Sequence, residues 1–332
     1  MIAETLAASV RTPVKSNELL VAPSHVAGDF FSHGVDCPFV FTLDGRTGMT
    51  VVGWDGIGYQ TGLCWLEDDG WTSPELIFGR DAASDHRRYN TAMTGLLRDS
   101  ALDGTGELIA IDGWYYGTYH AYPSPGYEEG PAVIGIARSR DLRTWEEFGE
   151  LIRPEDGGDW ERGGLYKSWL MRDDDGFRLF YNAKDRTDGA WVEQTGAVVS
   201  DDMVTWKRVS DRPLLVRGGA GAFDERFASD PCVLRAADGT WVMFYFGLSH
   251  DGHARDSYAV SADLVNWQKS GEILVDIGPR GSVDDRHAHK PAVIRRGDML
   301  EHYYCAVRAT EPFEVGGTPL DEMRGISVAR SR

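Results

Sequence analysis

Cysteine is scarce in this chain of 332 residues: Cys37, Cys64, Cys232 and Cys305 lie scattered, with no Cys-x-x-Cys pair. That spacing excludes a disulfide framework and the familiar zinc sites. Positive charge is short as well. Thirty-four Lys and Arg stand against 52 Asp and Glu, a net charge of −18, which argues against nucleic acid or an anionic membrane surface as a partner. No apolar run approaches the roughly 18 residues of a membrane span. The opening stretch, MIAETLAASVRTPVKSNELL, has no apolar core of the kind a signal peptide needs. These absences lead to the expectation of a cytoplasmic protein that engages neither nucleic acid nor membrane.

Glycine and aromatic residues, by contrast, are abundant: 39 Gly, 11 Trp, 13 Tyr and 13 Phe. That composition suits many short strands joined by tight turns. A repeat organises them. Ser139-Arg-Asp-Leu-Arg-Thr-Trp145 recurs as Ser200-Asp-Asp-Met-Val-Thr-Trp206 and as Ser261-Ala-Asp-Leu-Val-Asn-Trp267, with Trp residues 61 positions apart. A fixed period in this range marks stacked or radially arranged units. In one unit, Cys232-Val-Leu-Arg leads through Asp238-Gly239 to Trp241–Phe246. Tyr258–Val260, the Ser-x-Asp turn and Glu272-Ile-Leu274 follow, so each unit reads as four antiparallel strands. The outer strand appears at Glu75–Ile77, Glu150–Ile152, Pro213–Leu215 and Glu272–Leu274, while the last unit ends without one. The missing copy is Glu18-Leu19-Leu20. The expectation is an all-β, five-bladed β-propeller forming one domain over residues 1–332. Its N-terminal segment, 1–28, supplies the outer strand that closes the last blade and protects its edge. Helices should be scarce.

Antiparallel geometry sorts the polar residues. The Ser-x-Asp-Leu-x-x-Trp motifs read as turn caps, with Trp packed between blades. The starts of the innermost strands and the ends of the second strands share one rim. Counting back eight positions from each turn Asp places Asp36, Lys167, Asp230 and Lys290 at equivalent inner-strand starts. Burying ions costs several kcal/mol each unless they are paired. The bland account is therefore a closed Asp–Lys ring that plugs the axis; the sharper one is a polar site there. Nearby lie His33, Glu161, Glu225, Arg286 and His289, with Trp54 and Asp55 at a second-strand end. Loops 81–96 and 121–130 could wall a pocket over the axis.

Val35-Asp-Cys-Pro38, Ser229-Asp-Pro231 and the Gly-x-Ala-x-Ser-x-Asp-Leu-x-x-Trp-Glu stretch over 135–146 resemble the five-bladed glycosidases of glycoside hydrolase families 43, 32 and 117. The resemblance implies Asp36 as base or nucleophile and Asp230, in its Asp-Pro pair, as the group that tunes pKa. Relatives carry that Asp in the third unit, where this chain has Lys167. The resemblance also implies a Glu as proton donor, with Glu225 the first choice and Glu161 the second, and the His that family 117 uses near that position makes His289 a third. Glycosidic cleavage needs one group to protonate the leaving oxygen and another to activate water or attack C1. Lys167, Lys290, Arg286, His289, His33, Trp54, Asp55 and Glu161 are the expected substrate contacts. The leading expectation is an exo-acting glycoside hydrolase taking a terminal furanose or pentose-like residue of an oligo- or polysaccharide. One alternative is a phosphorylase similar to family 130, with phosphate held by the axial cations. Another is a non-catalytic carbohydrate-binding propeller. No cofactor is expected; relatives suggest an axial calcium or sodium ion, but no ligand spacing here specifies a metal.

Overall fold

A computed structural model describes every residue except Met1, Ala3, Glu129 and Asp188. It is built almost wholly of strands, and its described helices are Glu4–Ser9 and two single 3-10 turns. The strands fall into consecutive antiparallel sets. The first holds Gly34–Leu43, Arg46–Trp54, Tyr59–Glu67 and Glu75–Phe78. The second holds Ala92–Leu96, Tyr115–Ala121, Val133–Ser139 and Glu146–Ile152. Gly164–Asp173, Gly176–Thr187, Ala190–Ser200 and Lys207–Arg208 make the third. Phe227–Arg235, Trp241–Leu248, Ala254–Ser261 and Gln268–Val275 make the fourth. His287–Arg296, Met299–Val315 and Thr318–Arg330 make the last, and Val14–Lys15 pairs with the outermost of these through Val14↔Arg330.

Local chemistry explains the turns. Asp44 and Gly45, with φ of 49° and 76°, form the two-residue hairpin in which both central residues need positive φ. In the repeated motif, the Asp141 carboxylate accepts the amides of Arg143 and Thr144. Asp202 and Asp263 do the same two and three residues on. The motif is a capped turn.

The N-terminal pairing differs from expectation in register. The strand is Val14–Lys15, not Glu18–Leu20, because Asn17 takes a φ of 58° and turns the chain out of the ladder. It rejoins only at the Val21↔Ile326 bridge.

Each innermost strand contacts the next, and the last contacts the first, closing a ring around an axis. One end of that axis is filled. Phe39 and Trp169 meet with ring centroids 5.2 Å apart. The Arg98 guanidinium lies 5.4 and 5.0 Å from those two rings and donates to the Val293 carbonyl at 2.7 Å. This plug leaves the opposite end as the open one.

Candidate active site

A regular strand sends successive side chains to opposite faces. Every innermost strand here breaks that rule with a register shift near its start: between Asp36 and Phe39, Met93 and Gly95, Tyr166 and Ser168, Ser229 and Cys232, and His289 and Ala292. A bulge bends the strand and re-aims its side chains. Three of the bulges carry a residue of positive φ directly before proline: Cys37 (46°), Asp230 (57°) and Lys290 (65°). Such strain in non-glycine residues is held only where the surroundings over-determine it.

Aligned on the bulges rather than on the turns, Cys37, Thr94, Lys167, Asp230 and Lys290 occupy matching positions, and Asp36 stands one residue ahead, matching Ser229 and His289. Asp36 consequently lies beneath the well. It is fully buried, and its Oδ2 accepts Lys290 at 2.9 Å, Arg324 at 3.2 Å and the Tyr127 hydroxyl at 3.3 Å. Its Oδ1 takes the Cys37 amide at 2.8 Å. Burial alone would raise its pKa, but Lys290 and Arg324 outweigh that and hold the carboxyl well below the usual range. It anchors two cations and presents no free oxygen.

Over this floor opens a cavity of about 180 Å³ whose lining includes His120, Glu128, Tyr166, Lys167, Asn182, Lys184, Trp191, Glu193, Asp230, His289, Lys290 and Arg324. Glu193, from the third strand of its set, accepts the Ser229 hydroxyl at 2.7 Å and the Asn182 amide at 3.0 Å on Oε2, and Lys184 at 3.3 Å on Oε1. Asp230 Oδ1 lies 3.1 Å from the same Ser229 hydroxyl. Burial pushes the pKa of both Asp230 and Glu193 up. The Ser229 hydroxyl thus lies between the two carboxyls, and Lys167 and Lys290 oppose the effect of burial at Asp230. Glu128 arrives on the loop between the second and third strands of the second set. It contacts Lys184 directly and lies 4.0 Å from Lys290. Burial raises its pKa, but the two ammoniums prevail and keep it ionised. The cavity thus holds one carboxyl whose pKa is raised and one whose pKa is lowered, brought in by sets that are not neighbours in the ring.

Of the residues singled out from the sequence, Lys167, Lys290, His289 and Asp230 line the cavity; the others lie elsewhere. Glu225, the first choice for the acid, is a loop clamp: its carboxylate accepts the amides of Gly221 and His250, both at 2.8 Å, which lower its pKa. Glu161 is bound by Arg208 at 2.7 Å and Tyr181 at 2.7 Å. Asp55 pairs with Arg80 at 2.7 Å, His33 with the Ser32 hydroxyl, and Arg286 with Glu322 at 3.1 Å. Trp54 packs edge-on against Tyr59 and Tyr127, its ring 5.7 Å from each. Glu128, Glu193 and Arg324 were not among the expected contacts. Asp36, His289 and Cys305 bring ligand atoms within 4.8 Å of one another, but Lys290 and Arg324 at hydrogen-bond distance from Asp36 oppose a cation there.

A ring of antiparallel sheets with paired carboxyls at its open end defines a glycoside-acting propeller. The chain belongs to the family of the glycosyl hydrolases family 32 N-terminal domain, whose model matches residues 102–280, more than half of its length. Among solved structures it is similar to one described as "Glycoside hydrolase", at 28% identity and TM-score 0.82, covering 99% of this chain and 94% of that one. A solved complex of BT0996 with RGII is similar at 29% identity and TM-score 0.81, with the same coverage. A curated relative, the 1,2-beta-oligomannan phosphorylase of Thermoanaerobacter sp. (strain X514), is 26% identical over 130 residues, 37% of this chain and 43% of that protein. The match spans less than half of that relative's length.

Proposed function

We propose that the protein is an exo-acting glycoside hydrolase whose five strand sets are the blades of a five-bladed propeller, with residues 1–332 forming one catalytic domain. Asp230 is the proton donor to the leaving oxygen, and Glu128 is the ionised carboxylate that activates water or attacks C1. The observation that carries this reading is the split between the two carboxyls: burial raises the pKa of Asp230, while Lys184 and Lys290 outweigh burial at Glu128 and lower its pKa. Pairs whose surroundings push their pKa values apart mark acid and base. The axis is closed below by Arg98, Phe39 and Trp169, so a blind well receives a chain end, which favours exo action. The terminal furanose or pentose-like residue is carried over from the glycosidases that the motifs resemble.

A second reading, phosphorolysis, is supported by the name of the curated relative and by Lys167, Lys184, Lys290 and Arg324 around one cavity. Three of these cations are already committed to carboxylates. Lys167, whose ammonium donates to the Pro291 carbonyl at 3.5 Å, is left to meet an anion. The test is a panel of aryl glycosides and short oligosaccharides assayed with and without inorganic phosphate. Hydrolysis independent of phosphate is expected, with Asp230→Asn and Glu128→Gln each lowering kcat by roughly 10²–10⁴-fold. A general acid must be protonated, so activity should fall as pH rises through the elevated Asp230 pKa. Cleavage that requires phosphate would replace hydrolysis with the second reading, and full activity in both variants would defeat the assignment.

A further inference from the structure

The cavity wall between the second and third strand sets contains polar atoms with nothing to bond. His120 closes the second strand of its set and is 2% exposed, yet neither ring nitrogen has a partner among the described residues. Three tyrosine rings surround it. Tyr122 stacks on it at 17°, with centroids 6.5 Å apart, and Tyr59 and Tyr166 meet it edge-on at 6.4 and 5.5 Å. Asn182, in register with Tyr166 on the neighbouring strand, is also 2% exposed. Its amide nitrogen is committed to Glu193 at 3.0 Å. That bond fixes the side-chain orientation and leaves Oδ1 without a donor. Buried polar groups in native proteins are nearly always satisfied, and orphaned ones call for an explanation.

We propose that His120 and Asn182 form a subsite that recognises adjacent hydroxyls of a neutral sugar ring. The inference rests on the glycoside-cleaving reading and names the substrate class for the same well. The bonding inventory selects the ligand. A neutral imidazole offers one donor and one acceptor, and Asn182 Oδ1 offers a second acceptor. Burial drives the His120 pKa down to about 3, so the ring keeps that pattern at any pH where the enzyme works. Two acceptors and one donor are matched by two hydroxyls, each of which can give and take. A carboxylate can only accept, so it would face two lone pairs across a dry wall. The subsite therefore selects against uronic acids, despite the lysines nearby. A site built to bond a hydroxyl strongly rejects the analogue that lacks it, because its own groups are then left unpaired.

The test is His120→Phe, which keeps an aromatic ring among the three tyrosines and removes both orphaned atoms. Wild type and variant are compared on aryl glycosides of neutral pentoses and hexoses, on the matching monodeoxy glycosides and on an aryl glucuronide, with thermal unfolding measured in parallel. The variant should lose roughly 10–100-fold in kcat/KM on the neutral glycoside that wild type prefers. It should lose little on the deoxy analogue that already lacks the bonded hydroxyl, and its Tm should be unchanged or higher. An unaltered kcat/KM, a lowered Tm with equal losses on every substrate, or a wild-type preference for the glucuronide would overturn the proposal. If wild type cleaves none of these, calorimetric titration with the free neutral sugars separates the two readings. Binding that His120→Phe abolishes keeps the subsite and refutes cleavage, whereas no binding to wild type refutes the subsite.

Discussion

Asp256 and His302 meet at 3.0 Å in a part of the core where both side chains are wholly buried. Burial raises the Asp256 pKa to about 6, and the hydrogen bond from His302 only partly opposes it. In the unfolded chain an Asp titrates near about 3.9. Between those values the folded state keeps a proton that the unfolded state has released. The stabilisation this represents is complete below about pH 4 and is lost as pH rises through about 6. Asp256→Asn keeps a polar partner for His302 and cannot ionise. It should gain about 1–3 kcal/mol relative to wild type on going from pH 4 to pH 7, seen as a Tm difference that widens with pH. A constant difference across that range would show that Asp256 does not titrate as described. The cavity residues were legible to different degrees. Lys167, Asp230 and Lys290 could be found because they stand at turn-counted positions, and His289 because it lies beside one. Asp36 was displaced in the count because Asp44 is the first residue of its two-residue turn, whereas Asp298 is the second of its own. Glu193 lies inside Ala190–Ser200, where nothing distinguishes an inward Glu from a solvated one. Loop 121–130 was recognisable as a wall, but its Glu128 was not, because a loop side chain takes its direction from packing.

Two hairpins rise higher than the rest: Gly176–Thr187 with Ala190–Ser200, and Met299–Val315 with Thr318–Arg330. The first brings Trp191 to the cavity mouth, where it is 38% exposed with Arg186 4.5 Å over its ring. A half-exposed indole held by a cation is suited to stacking against the part of a substrate that protrudes from the well. Trp191→Ala should raise KM for an oligosaccharide by about threefold to tenfold and leave kcat nearly unchanged, because stacking of this size is made equally in the ground state. A fall in kcat at constant KM would place Trp191 in the chemistry instead. At this scale the sequence reading was at its best. The Ser-x-Asp turns and Asp-Gly hairpins use chemistry local to three or four residues, whereas the N-terminal strand shifted register because the turn at Asn17 was not recognised.

For the molecule as a whole, the ring depends on its first residues. Val10 and Thr12 are buried, Lys15 contacts Asp284 directly, and Val14–Lys15 covers the outer edge of Thr318–Arg330. No helix among the described residues is long and apolar enough to cross a membrane. Deleting residues 1–16 would uncover the outer edge of that strand at Ala329 and Arg330, leaving only the Val21↔Ile326 bridge on that side, and free the edge to template other chains. The shortened protein should unfold at a lower temperature and scatter light on warming, and an unchanged Tm with no aggregation would show that the terminal pairing is dispensable. This closure was visible as a missing outer strand, because a count of repeats does not depend on local register.

The kinked starts at Cys37-Pro38, Asp230-Pro231 and Lys290-Pro291 share one backbone shape yet display a thiol, an acid and an amine. The main chain supplies a socket and is indifferent to what is plugged into it. The electrical character of the well can therefore be rewired one fitting at a time while the surrounding sheets keep their architecture.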